Sequence, residues 1–355
     1  MALVNIHEKN IQETYKIEHD VVSHALYLYD KERLTESLSE SSTSVSTCTS
    51  GFELVTTTLT ADQDHQLQLF LMRRLRKGAI YAGTGNFSGM DFSLGEKPGS
   101  PAVCFYVLLP CGVDTDGRER QLVACLLGTA DANLEAFRPE LTSFCENLAC
   151  SVAPKKEISS AVASDLTDWY SQCVQYVCRV LKSLGTNVAF LLQLAQQNGS
   201  LRVGAGVGPE LAADARRFLS ACAAAECLSL PAGSGPAAAT LEVGGAVAGL
   251  ECNAHCREWG RLLTEHGHTA EAWRIRRAME AFKLKTIKDM NMLKRLLKQA
   301  EMDHYSLYRA YSFLWQSGNS DVLLEHAKAE GSSSREVIAA LEEHIGHTLQ
   351  AIAAT

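Results

Sequence analysis

The stretch from Ala281 to Ala327 constrains this chain more than any other. Met279, Phe282, Thr286, Met290, Leu293, Leu297 and Ala300 recur at steps of three and four residues, which on a helix sets them in one stripe. Lys283, Lys288, Lys294, Arg295 and Lys298 fall roughly opposite. A helix patterned this way has to bury its apolar face, so a helical core is expected around it. Its basic face needs only water, because charges opposite a core stripe ordinarily keep a helix soluble. Docking of an acidic partner is the functional alternative for the same residues.

With 355 residues the chain fits two domains of ordinary size. A hydrophobic content of 46% and a charged content of 21% suit a packed globular protein. The formal net charge of −8 argues against whole-molecule attraction to nucleic acid or anionic lipid, and leaves room for a local basic patch. No run of eighteen apolar residues occurs, and the N-terminus turns polar within a few residues, so neither a transmembrane helix nor a signal peptide is expected. The 12 cysteines sit in apolar contexts, such as Cys104 in AVCFYV and Cys125 in LVACLL, and read as reduced thiols in a cytoplasmic protein.

Taken in order, residues 1–22 form an N-terminal extension. Strands are expected at Ala25–Tyr29, Phe52–Val55, around Phe92–Leu94, Val103–Leu109 and Leu122–Leu127. Helices are expected at Asp62–Lys77 and Asn133–Val152. The Ser/Thr tract 37–50 cannot bury a core and reads as a mobile loop. Strand, strand, helix, three strands and helix is an order that one antiparallel sheet backed by helices satisfies. It resembles a longin or roadblock module spanning 23–153. From 154 to 355 the pattern is helical, interrupted at 228–249 by a Gly/Ala-rich loop with at most one short strand. A break near Asp303 ends the long helix, Ser320 is placed to cap the next, and Ser333 with Glu336 has capping-box spacing for the last. The expected fold is α+β: a longin/roadblock-like antiparallel sheet with helices, then an all-helical C-terminal domain.

Within that frame, Phe282-Lys283-Leu284-Lys285, Asn291 with Leu293-Lys294-Arg295, Gln299-Ala300-Glu301-Met302, His304-Tyr305 and Asp321 with Leu323-Leu324 resemble the C-terminal signature of the Njmu-R family. Phe70, Arg74-Leu75, Lys77-Gly78-Ala79 and Gly83 with Gly85-Asn86 form a second match, and Glu258-Trp259 a third. The similarity runs from about Ser23 to the last helix, and none of its motifs is catalytic. The resemblance implies a non-enzymatic subunit of the vesicle-tethering complex built on WD repeat-containing protein eleven and its FAM-ninety-one scaffold subunit. A golgin adaptor of the TBC type would be an indirect partner. The complex would act in golgin-mediated capture of endosome-derived (AP-1 type) vesicles, with the chain peripheral at the trans-Golgi network and cytoplasmic vesicles. A proposed link of the family to spermatogenesis goes with it. Docking on the scaffold would fall to Lys288, Lys294, Arg295 and Lys298, or to Tyr305, Tyr308 and Trp315. From another class, a longin-type regulator or adaptor of a small GTPase is the alternative.

Motifs that suggest chemistry have plainer readings beside them. Gly83-Thr84-Gly85-Asn86-Phe87-Ser88-Gly89 lacks the spacing of a dinucleotide loop and the Lys-Ser/Thr of a P-loop, and reads as a turn. Cys252, His255 and Cys256 offer three zinc ligands, with His266 or His268 as a fourth, but no second spaced pair accompanies them. Cys145 and Cys150, Cys173 and Cys178, and Cys222 and Cys227 are five apart, which on a helix puts the sulfurs on different faces. Asp303, His304 and Ser306 suggest an acid/base set, yet adjacent helical residues do not face each other, and a cap is the plainer reading. Arg73 and Arg74 form a small basic cluster at a helix end. Tyr305, Tyr308, Tyr311, Phe313 and Trp315 would serve helix packing and an interface better than base stacking, given the acidic balance. No cofactor, metal or nucleic acid is expected.

Overall fold

A computed structural model describes residues 22–29, 51–76, 82–87, 102–113, 119–129, 132–152, 158–224, 238–267, 271–330 and 334–353. The N-terminal extension up to 21, the Ser/Thr tract, the strand expected near Phe92, the first part of the Gly/Ala-rich loop and Ser333 lie outside them. The chain forms two compact units, Met1–Gln175 and Tyr176–Thr355.

In the first unit, β1 (Ser23–Tyr29), β2 (Phe52–Thr57), β3 (Ala82–Phe87), β4 (Ala102–Val113) and β5 (Glu119–Thr129) form one sheet in the order β2-β1-β5-β4-β3. Every neighbouring pair is antiparallel. Side chains alternate between faces along a strand. Ala25, Tyr27, Tyr29, Tyr106, Val123 and Cys125 therefore share one face, where they pack with Leu67 and Leu71 of α1 (Ala61–Arg76). Leu26, Leu28, Phe105, Val107, Ala124 and Leu126 take the other face and are buried too, and α2 (Arg138–Val152) lies against β4. Burial on both faces is why β1 shows no polar alternation: all seven of its residues are buried.

α1 begins with a reciprocal cap in which Thr60 N donates to Gln63 Oε1 (3.0 Å) and Gln63 N to Thr60 Oγ1 (3.4 Å). One turn on, Asp64 accepts from the Tyr27 hydroxyl (2.6 Å) and from Gln68 Nε2 (2.7 Å), which satisfies a phenol otherwise buried in the core. α3 (Ser160–Tyr170), capped by Ser159, and a π-helical turn at Ser171–Gln175 close the unit.

The expected order of strands and helices is the observed one, with a correction at the third strand. Gly83 to Phe87, read from the sequence as a turn, lies in β3, paired with β4 from Ala82↔Val107 to Phe87↔Ala102. With two glycines, no apolar alternation and Thr84 as its one β-branched residue, its strand state rests on the backbone ladder offered by β4.

The second unit contains α4 (Tyr176–Leu184), α5 (Val188–Gln196), β6 (Ser200–Val203), α6 (Pro209–Cys222), β7 (Ala238–Leu241), β8 (Val247–Ala248), α7 (Ala254–Gly267), α8 (Ala272–Ala300), α9 (His304–Ser317), α10 (Ser320–Ala329) and α11 (Arg335–Ala353). From α8 onward it is all helical. Before that, β6, β7 and β8 make a small sheet, with β6 parallel to β7 and β7 antiparallel to β8. The Gly/Ala-rich segment thus carries two short strands where at most one was expected. Glycines at positive φ, Gly244 (81°), Gly245 (80°) and Gly249 (89°), turn the chain between and after them. Met290, Leu293, Leu297, Ala310, Leu314, Leu323, Leu324, Ile338 and Leu341 form one apolar core drawn from α8 to α11.

Candidate partner-binding surface

α8 is 29 residues long and buries Met279, Phe282, Thr286, Met290, Leu293 and Leu297, with Ala300 half-buried at its end. The stripe read from the sequence is the buried face. Opposite it, Leu284, Lys288, Asn291, Met292, Arg295, Lys298 and Met302 follow one another at helical spacing and are all exposed. Between Leu284 and Ala300 the single acidic residue is Asp289, which is buried and paired with Lys285. The outer face of this segment therefore presents only positive charge, on a chain whose net charge is −8.

The candidate cations are not equivalent. Lys294 sits toward the edge of the stripe and makes an ion pair with Glu330 at the end of α10, 2.6 Å away. Its charge is used inside the fold. Lys288, Arg295 and Lys298 have no ion pair among the described residues.

A tight connection, Glu301 to Asp303, turns α8 into α9. Asp303 Oδ1 accepts from Ser306 N (2.7 Å) and Oδ2 from the Ser306 hydroxyl (2.8 Å), so the Asp/His/Ser group is an N-cap. Those hydrogen bonds hold the Asp303 carboxyl below its usual range. Ser334, just before α11, donates to Glu301 and fixes the other side of the connection. Gly318, in the left-handed region at φ 62°, ends α9. α10 then begins at Ser320 itself with Asn319 in the cap position, one residue earlier than expected, and Asn319 makes no side-chain cap bond.

α9 divides the aromatic set. Tyr311 and Phe313 pack toward the core shared with α8. Tyr305, Tyr308 and Trp315, at steps of three and seven, face outward with 72%, 64% and 42% of their surfaces exposed. Met302, at the tip of the connection, is 85% exposed. Met302, Tyr305 and Tyr308 thus expose large apolar side chains close together in the chain at the turn from α8 into α9, the kind of feature that marks an interaction surface when it is contiguous. Leu284, Met292 and Met302 were not among the partner-binding residues read from the sequence, although their place opposite the core stripe is a signal that was there to be read.

Elsewhere in the unit, buried polar groups tie helices together. Asn253 caps α7, accepting from Cys256 N at 2.8 Å, while its amide donates to Asn319 Oδ1 (2.7 Å) and Asp321 Oδ1 (3.1 Å). Gln196 donates to Thr286 Oγ1 (2.8 Å), and its backbone carbonyl meets His326 Nε2 at 2.6 Å. His255 does not turn toward the two cysteines as a metal ligand would. Its ring stacks on Phe282 (5.8 Å between centroids) and meets Trp259 edge-on. Burial pushes the His255 and His326 pKa values down, with Lys285 adding to the effect at His255. Among the described residues no three His, Cys, Asp or Glu side chains are placed to hold a metal ion. The described cysteines are free thiols, and Cys145 is buried where Cys150 is exposed, as a spacing of five on a helix requires. In the first unit, Arg74 lies over the Phe70 ring at 5.4 Å, with Arg73 exposed beside it.

Residues 24–235 and 241–347 match the Njmu-R1-like protein family. The chain belongs to the Njmu-R1 family. It is also 28% identical over 320 residues to mouse Protein Njmu-R1, an alignment that covers 83% of this chain and 80% of the mouse protein. The family match takes in α8, α9 and most of α11, so the basic and aromatic surface lies within the region that defines the family. No helix among the described residues is long and apolar enough to cross a membrane.

Proposed function

We propose that the chain is a non-enzymatic subunit of a vesicle-tethering assembly and docks on its scaffold through the outer faces of α8 and α9. The observation that carries this is the exposure, on two consecutive helices, of Met302, Tyr305, Tyr308 and Trp315 and of the uncompensated Lys288, Arg295 and Lys298. Aromatic, methionine and arginine side chains are enriched at protein interfaces, and a patch of one charge sign steers a partner of the opposite sign. Membership of the Njmu-R1 family supports the choice of assembly through the resemblance set out above: WD repeat-containing protein eleven with its FAM-ninety-one scaffold subunit, capturing endosome-derived vesicles at the trans-Golgi network. Affinity purification of the tagged chain from its own cells, with mass spectrometry, tests it. The reading expects both subunits in near-stoichiometric amounts, and absence of both from a folded, soluble preparation overturns it.

A second reading rests on the first unit. Its strand and helix order is the one that led to the longin-like expectation, and such a module would suit a regulator of a small GTPase. Faster nucleotide exchange on addition of the purified chain would favour this reading over the first.

A further inference from the structure

We propose, resting on the docking reading above, that the outer seam of α8 takes one acidic amphipathic helix of its partner, paired along it as in a coiled coil.

Arg277, Ala281, Leu284, Lys288, Asn291, Arg295 and Lys298 follow one another at steps of four and three in strict alternation, and every one is exposed. That is the rhythm of the two seam positions of a heptad, kept over about 30 Å of helix. A line of this period stays against a second helix when the two supercoil left-handed. Spacing of this kind is open to any exposed helix face, so composition decides the occupant. Between Ala281 and Ala300 no acidic residue is exposed, because Asp289 is buried and paired with Lys285. Glu280, the nearest carboxylate upstream, is paired with the buried Arg276 at 3.6 Å. Lys288, Arg295 and Lys298 therefore hold the middle of the seam with no ion pair among the described residues.

Apolar side chains bound this cationic stretch. Leu284 is 55% exposed at one end, and Met302, four residues past Lys298 and 85% exposed, continues the line beyond the other. A matching helix carries Asp or Glu opposite the cations and apolar residues opposite Leu284 and Met302, while Asn291 is the single neutral polar seam residue that sets register. A second copy of this chain does not fit, since it sets cations against cations. An anionic bilayer calls for the reverse arrangement, with apolar side chains along the midline of the buried face and cations on the face opposite. Here Lys288 and Arg295 stand on the midline itself.

A carbodiimide joins a lysine amine to a carboxylate it touches, which makes the wild-type chain its own probe. The assembly purified with the full chain is treated with carbodiimide, digested and mapped by mass spectrometry, with the intrachain Lys294–Glu330 pair, 2.6 Å apart, as the positive control. The expected result is that Lys288 and Lys298 each couple to an Asp or Glu of one partner segment. The two acceptors are expected about ten residues apart with no proline between them, matching the separation of the two lysines. Lys288→Arg, which keeps the charge and removes the amine, is expected to lose the first cross-link while recovery of the partner stays unchanged. The proposal is overturned if the two lysines couple to remote segments, or if neither couples while Lys294 and Glu330 do. Coupling to one such helix of a protein other than the two tethering subunits supports the helix and overturns the choice of assembly, so the two readings fail separately.

Discussion

Gly260 and Asp214 show how much of the second unit hangs on single side chains. A Cβ at Gly260 would come within 2.8 Å of the Ala189 Cβ and 3.1 Å of the Ala189 backbone, so α7 can approach α5 this closely only with glycine there. Gly260→Ala is expected to lower stability by about 1–3 kcal/mol as the helices are forced apart, measured by urea unfolding. Asp214, buried on α6, takes both Nε (2.6 Å) and Nη2 (2.8 Å) of Arg179 on α4. Removing the guanidinium by Arg179→Ala leaves that carboxylate buried and unpaired. The expected loss is about 2 kcal/mol, less than for a fully buried pair because Arg179 is about a third exposed. Neither feature could be read from the sequence: the partners stand on different helices, and periodicity gives a residue's face but not what it meets.

At the scale of elements, legibility followed the strength of the local pattern. α8 was readable because its core positions repeat over 29 residues, and all its expected stripe positions are buried or half-buried. β1, β4 and β5 were readable from dense apolar and β-branched runs. β3 was misread because its strand state comes from β4, and of β6 to β8 at most one short strand was expected, because segments of two to four residues carry too little pattern to stand out from loop. The candidate surface was legible in the same uneven way. The basic residues of α8 could be placed opposite the core, but the capture of Lys294 by Glu330 depends on where α10 ends. The division of the aromatics depends on how α9 turns against α8. Leu293→Ala is expected to cost about 2–5 kcal/mol by opening a cavity in the core, while Lys288→Glu should change stability by no more than about 0.5 kcal/mol. Urea unfolding of the two variants side by side checks the assignment of faces.

For the molecule as a whole, pH acts through buried histidines. Burial lowers the pKa of His24 in the first unit and of His255 and His326 in the second. The unfolded chain therefore takes up protons, near the ordinary value of 6.5, that the folded chain resists. Stability is expected to be complete above that value and to fall as pH drops below it, visible as an earlier urea midpoint at pH 5.5 than at pH 7.5. A flat profile would mean that these rings are reached by water in solution.

The claim on which the functional account rests is that the outer faces of α8 and α9 form the docking surface, and one comparison tests it most directly. Tagged wild-type chain and the Lys288→Glu/Arg295→Glu/Lys298→Glu variant, which spares the Lys294–Glu330 pair, are purified from the same cells, with the urea midpoint of each as the control for folding. The account predicts that the wild type brings down WD repeat-containing protein eleven and its scaffold subunit, and that the folded variant loses at least ten-fold of both, about 1.4 kcal/mol in binding. Undiminished recovery of the two subunits with the folded variant would contradict it.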